Sequence, residues 1–179
     1  MKVLPIHLLY PADIFVNNAP YLVSTVLGSC ISVCLHDPML GHGAINHYIL
    51  PHWNGSDLAT MKYGNLAIIR ILEELLKLGS KYENLNAKVI GGAEMLTGAP
   101  TNFHIGKRNT QIAIEILKEL KIPVLFSDVG GNRGRRICFN TLSGEIKYEF
   151  IGNKEKVLDI GIKEDKNMTG NFFKRVGIF

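Results

Sequence analysis

The chain has 179 residues, 46% of them hydrophobic and 20% charged, with three cysteines and a formal charge of +4. That balance is globular, and the length suits one domain with a core that needs no staples, which excludes a disordered chain. No Lys/Arg run exceeds two residues and no apolar stretch nears the roughly 20 needed to cross a bilayer, so neither a nucleic-acid partner nor membrane insertion is expected.

The first residues, MKVLPIHLLYPADIFV, form an apolar patch broken by Pro5 and Pro11, without a small-residue cleavage site; no secretory leader is expected. Residues 21–27 and 31–36 read as two strands joined through Leu27-Gly28-Ser29-Cys30. The second alternates, with Ile31, Val33 and Leu35 on one face and Ser32 and Cys34 on the other. Asp37-Pro38 and Gly41 mark a turn, and residues 43–50 a third strand stopped by Pro51. The polar loop HWNGSD follows.

Leu66, Ile69, Leu72, Leu75 and Leu76 then recur at helical spacing from about Thr60 to Leu78, ahead of Gly79. AKVIGGA reads as a short buried strand whose Gly91-Gly92 permits close backbone packing. A second amphipathic helix spans about Lys107 to Leu120, with Ile112, Ile116, Leu117 and Leu120 inward. IPVLFSDV is another strand, and RICFNTL and EIKYEF form a hairpin through Ser143-Gly144. Adjacent strand runs with two helices argue for a layered α+β domain rather than an alternating parallel sheet. The pattern weakens after Gly152. We divide the chain into a domain of residues 1–150 and an extension, 151–179, whose aromatic end NFFKRVGIF is expected to pack on the body.

Cys30, Cys34, His36, His42 and His47 crowd one short region. A zinc site needs its sulfurs within about 4 Å of one another, whereas residues four apart on a strand are separated by about 13 Å. Cys30 and Cys34 on one strand therefore cannot share a metal. The odd cysteine count without framework spacing points instead to reduced thiols and a cytoplasmic chain.

Nucleophilic catalysis fits the corner better. A cysteine just before a strand exposes its sulfur beside amides that the sheet leaves unpaired, and such amides can hold an oxyanion. Gly28 lets the backbone take φ > 0 or approach a ligand closely, and the small Ser29 leaves room beside the sulfur. His47, on the third strand, could pair with Cys30 as proton acceptor and donor. The plainer alternative is a small residue in a turn and a hydrogen-bonded core imidazole.

LGSCISVCLHDP, GAINHYILP, YGNLAIIRILEELLKLG, AKVIGGAEM, IGKRN and DVGGNRGRRI, in order over about residues 20–145, resemble the CheD family of bacterial chemotaxis proteins, the chemoreceptor glutamine deamidases. The resemblance implies packed β-sheets with helices covering one side, a cysteine-hydrolase-like fold related to toxin deamidases. It implies hydrolysis of receptor glutamine side chains to glutamate, with release of ammonia and no metal or organic cofactor.

The family's nucleophile maps to Cys30 and its histidine to His47. Its catalytic threonine maps to Ser24-Thr25, either of whose hydroxyls could orient the imidazole. The expected partners are chemoreceptor cytoplasmic domains and the CheC phosphatase. The competing functions are a CheC-binding regulatory module with little catalysis, and esterase or crosslinking activity at the same thiol.

Other residues carry two readings each. His52 and Trp53 line a substrate groove or form an exposed loop. In GGNRGRR, Arg133 and Arg136 brace the site or meet receptor carboxylates; alternatively they are solvated arginines of a hairpin turn. No strand–loop–helix cradle surrounds that loop, so nucleotide binding is not expected.

Overall fold

The computed structural model of the protein describes residues 3–94, 104–151 and 158–160. These residues build two five-stranded sheets and two α-helices. The first sheet contains β1 (Ile6–Leu8), β3 (Leu22–Leu27), β8 (Arg135–Asn140), β9 (Ile146–Phe150) and β10 (Leu158–Ile160), in the order β1-β3-β8-β9-β10. The second contains β2 (Ile14–Val16), β4 (Ile31–Asp37), β5 (His42–Asn46), β6 (Asn86–Gly91) and β7 (Val124–Val129), in the order β2-β5-β4-β6-β7. Among these described strands, β1–β3 and β6–β7 pair in parallel and the other neighbours are antiparallel.

Three layers result. Val23 and Leu27 of β3, with Ile137 and Phe139 of β8, meet Cys34, Ile45 and Ile90 between the sheets. Ile31, Val33 and Leu35 turn to the other side of the second sheet, against α1 (Gly64–Lys77) and α2 (Ile105–Glu119). β4 is therefore covered on both faces, and all seven of its residues are buried. This is the layered α+β architecture, with helices on one side, that the strand and helix order implies.

The first helix differs from its expected form. It begins at Gly64 rather than near Thr60, because Lys62 and Tyr63 are used to pair with residues 49–50. Its buried stripe is Ala67, Ile68, Ile71, Leu72 and Leu75. Leu76 is exposed and Leu66 and Ile69 are half-buried, so the inward face is rotated from the leucine pattern.

The third strand is also shorter than expected. β5 ends at Asn46, and His47 turns its main chain to the N-terminal segment: its N–H donates to Asp13 O (3.0 Å) and its carbonyl accepts from Ala12 N–H (2.8 Å). Asn46 Oδ1 takes the Val33 N–H (2.8 Å), in the place of a ladder carbonyl. The hairpin joining β8 and β9 forms as expected, with Gly144 at φ +72° in its turn. β10 adds residues 158–160 to the edge of the first sheet. The expected docking of the NFFKRVGIF end lies outside the described residues.

Candidate active site

Cys30 sits between β3 and β4, where the chain crosses from one sheet to the other. The corner is tied down by its carbonyls. Gly28 O accepts from Ala93 N–H (2.9 Å), Cys30 O from Gly92 N–H (2.8 Å) and Ser29 O from the Asn109 carboxamide (2.9 Å). The Ser29 and Cys30 amides donate to no carbonyl or side-chain oxygen among the described residues. Three consecutive acceptors are engaged while two adjacent donors remain open, which is the polarity an oxyanion site requires.

Of the three cysteines, Cys34 and Cys138 are buried and only Cys30 is partly exposed. Burial pushes every one of these thiols up, Cys138 to about 12. At Cys30 the nearby backbone N–H opposes the rise. Cys30 is thus the thiol most open to solvent.

Ile31 and Tyr48 exchange both main-chain hydrogen bonds, 3.2 and 3.1 Å. This antiparallel bridge sets Cys30 opposite Ile49 and His47 opposite Ser32, in the register that also pairs Cys34 with Ile45. Cys30 and His47 therefore lie diagonally on one face, the one between the sheets. Such diagonal neighbours have Cα atoms about 7–8 Å apart, within reach of ring side chains.

Thr25 reaches the same space from the facing sheet. Its Oγ1 lies 2.8 Å from His47 Nδ1 and 2.7 Å from Leu9 O. A hydroxyl has one hydrogen and a carbonyl only accepts, so Thr25 donates to Leu9 and accepts from His47. That assigns the proton to Nδ1 and leaves Nε2 with its lone pair. Nε2 is buried and has no hydrogen-bond partner among the described residues, the Cys30 sulfur included. The expected hydrogen bond between Cys30 and His47 is therefore not made in this state.

Burial pushes the His47 imidazole down to about 4, against the opposing pull of the Asp13 carboxylate. With the Cys30 thiol raised as well, the resting pair is neutral: a thiol beside an imidazole base. The preformed thiolate expected from a Cys–His contact does not arise here, because burial disfavours the charged form of both groups.

Ser24 and Thr25 point to opposite sides of β3. The Ser24 hydroxyl donates to Ile137 O (2.8 Å) within its own sheet and does not meet His47. His52 is exposed, while the Trp53 indole N–H is turned back to Asp57 O (2.8 Å) in its own loop. Arg133 is exposed, with its guanidinium over the Phe150 ring at 4.2 Å, and Arg136 pairs with Glu149 at 2.6 Å. Among the described residues no three His, Cys, Asp or Glu side chains gather as metal ligands.

Two residues escaped the sequence reading. Arg135, the middle arginine of GGNRGRR, is buried; it pairs with Asp128 at 2.6 Å and donates to Gly130 O and Arg133 O, which fixes the loop. Asn109 is fully buried on α2 and donates to both Ser29 O and Ile49 O. Its signal was available: an asparagine three and seven residues before Ile112 and Ile116 falls on the buried helix face.

Residues 49–150 match the family model described as CheD chemotactic sensory transduction, a span that starts after Thr25, Cys30 and His47. The chain is 44% identical over 140 residues to the probable chemoreceptor glutamine deamidase CheD of Trichlorobacter lovleyi, covering 78% of this chain and 87% of that one. The proteins of the same description from Sulfurimonas denitrificans and Desulfitobacterium hafniense are 38% and 40% identical, each covering 82% of this chain and 95% and 94% of their own. With matches of this length on both sides, the chain belongs to the CheD family.

Proposed function

We propose that this protein hydrolyses glutamine side chains of chemoreceptors to glutamate, with Cys30 as nucleophile, His47 as acid and base, and Thr25 as the group that orients the imidazole. One observation carries the reading. The Thr25–His47 hydrogen bond leaves Nε2 bare on the same face as the accessible thiol. The relatives' description as chemoreceptor glutamine deamidases supplies the substrate class.

The reaction begins from the neutral pair. As the sulfur closes on the carboxamide carbon, Nε2 takes the thiol proton, so charge separates only during attack. The carbonyl oxygen becomes an oxyanion that the Ser29 and Cys30 amides can hold. The imidazolium, its Nδ1–H still on Thr25, gives its proton to the departing nitrogen, and ammonia leaves a thioester on Cys30. Nε2 then takes a proton from water, the resulting hydroxide attacks the thioester, and the proton returns to sulfur as glutamate departs. The sum is amide plus water giving acid plus ammonia, with the thiol regenerated.

A chemoreceptor cytoplasmic fragment incubated with the protein under reducing conditions tests the proposal. Mass spectrometry should find amide-to-acid conversion at selected glutamines, lost with Cys30→Ala and with His47→Ala. Conversion that persists in Cys30→Ala, or none with the native chain on any receptor fragment, counts against it.

A further inference from the structure

We infer that Asn109 is a positioning residue that splays the strands beside Cys30 and so keeps the Ser29 amide open for the oxyanion; this rests on the deamidation proposed above. An antiparallel ladder alternates hydrogen-bonded and non-bonded pairs. Beyond the Ile31–Tyr48 bridge, the next bonded pair would be Ser29 with Leu50, and it would consume the Ser29 N–H. That pair does not form. Leu50 bonds instead to Lys62 O (2.9 Å) and to Gly64 N–H (2.8 Å).

Asn109 fills the gap. One carboxamide N–H goes to Ser29 O at 2.9 Å and the other to Ile49 O at 2.8 Å. Both partners are acceptors, so the nitrogen must face them. The side chain therefore satisfies the carbonyl on each strand without using either Ser29 or Cys30 N–H. Aspartate would set a charge against two carbonyls, and leucine would leave both without this partner.

The helix beneath is fixed. Tyr48 donates its hydroxyl to Asn109 O, and one turn earlier Gly106 abuts Gly92, where an added Cβ would lie 2.4 Å from Gly92 O. The first two turns of α2 thus clamp the cysteine corner, the histidine strand and the end of β6.

Native protein is compared with Asn109→Leu and with the smaller Asn109→Ser, in case the first does not fold. Three quantities are read: kcat and KM on a receptor fragment, alkylation of Cys30 by iodoacetamide, and protection of Cys30 by propanal. Alkylation reports the thiol alone. Propanal, matching the end of a glutamine side chain, forms a tetrahedral adduct that needs the amides.

The inference expects kcat to fall by about 50-fold or more, while KM and alkylation stay within about threefold and propanal protection is lost. A folded variant whose kcat stays within about threefold of native overturns it, as does a parallel fall in kcat and alkylation. Failure of both variants to fold also overturns it, assigning Asn109 to the core. If the native chain deamidates no receptor fragment, the proposed reaction fails, and propanal decides for Asn109 by itself. Protection present in the native chain and lost in the variants supports the inference, and any other pattern overturns it.

Discussion

Gly91 lies directly behind Cys30: a Cβ on Gly91 would stand 2.2 Å from the Cys30 carbonyl oxygen. The two residues belong to neighbouring strands, with Ile31 paired to Gly91, and Gly91 adopts φ +119°, a conformation that side chains rarely accept. The cysteine corner therefore leans on a bare backbone.

Gly91→Ala should displace the Cys30 carbonyl as well as strain its own backbone. We expect a loss of about 2–4 kcal/mol in urea denaturation together with a fall in activity. Gly130→Ala is the control, because Gly130 also has positive φ (+79°) but open space around its Cβ position. It should cost about 1 kcal/mol and leave Cys30 alkylation unchanged. Equal effects at the two positions would remove the close-packing explanation.

Thr25 and its neighbour Ser24 offer a sharper contrast. Thr25→Val removes the acceptor of the His47 Nδ1–H, so the imidazole loses its tautomer and orientation. Activity should drop by about 10–100-fold and be largely restored in Thr25→Ser. Ser24→Ala gives up one buried hydrogen bond, costing about 1 kcal/mol of stability, with kcat unchanged. Matching activity losses at both positions would contradict the assignment to Thr25.

These same two residues show what the sequence could and could not reveal. Alternation along LVSTVL places Val23, Thr25 and Leu27 together, yet Leu22 and Val26 make the other face apolar too, so the inward side was ambiguous until the second sheet supplied it. ISVCL was legible because it is an unbroken run of small and apolar strand formers, as a strand covered on both faces requires, ahead of the Asp37-Pro38 turn. β1 and β2 were not, since three residues between prolines and turns give no periodic signal.

The main-chain pairing of His47 is with Ala12 and Asp13, more than thirty residues away in the chain. No local pattern in GAINHYIL encodes it. Cys30 and His47 could be named from the family's motifs. Their neutral resting state could not, because it follows from burial.

That neutral state has a pH signature. The fold holds His47 at about 4 against an ordinary 6.5, so between those values the unfolded chain binds a proton that the native chain refuses. The contribution is fully present above pH 6.5 and is lost as pH falls toward 4, amounting to about 3 kcal/mol. Urea titrations should show this slope in the native protein and a flatter one in His47→Gln. An equal slope in both places the titration elsewhere.

Selective alkylation checks the accessibility of the thiols. Under native conditions iodoacetamide should label Cys30 and spare the buried Cys34 and Cys138. Its rate should rise with pH through and beyond the usual thiol range, since no partner ionises the sulfur at rest. A rate already saturated at neutral pH would show a preformed thiolate instead.

The central claim is a covalent one, and the thioester itself is its most direct measure. Receptor fragment and protein are mixed, quenched in acid during the first turnovers and digested for mass spectrometry. The account predicts a receptor peptide joined to the Cys30 peptide through the former glutamine carbonyl, formed ahead of glutamate and absent in Cys30→Ala. Glutamate accumulating with no such adduct, and at an undiminished rate in Cys30→Ala, would contradict it.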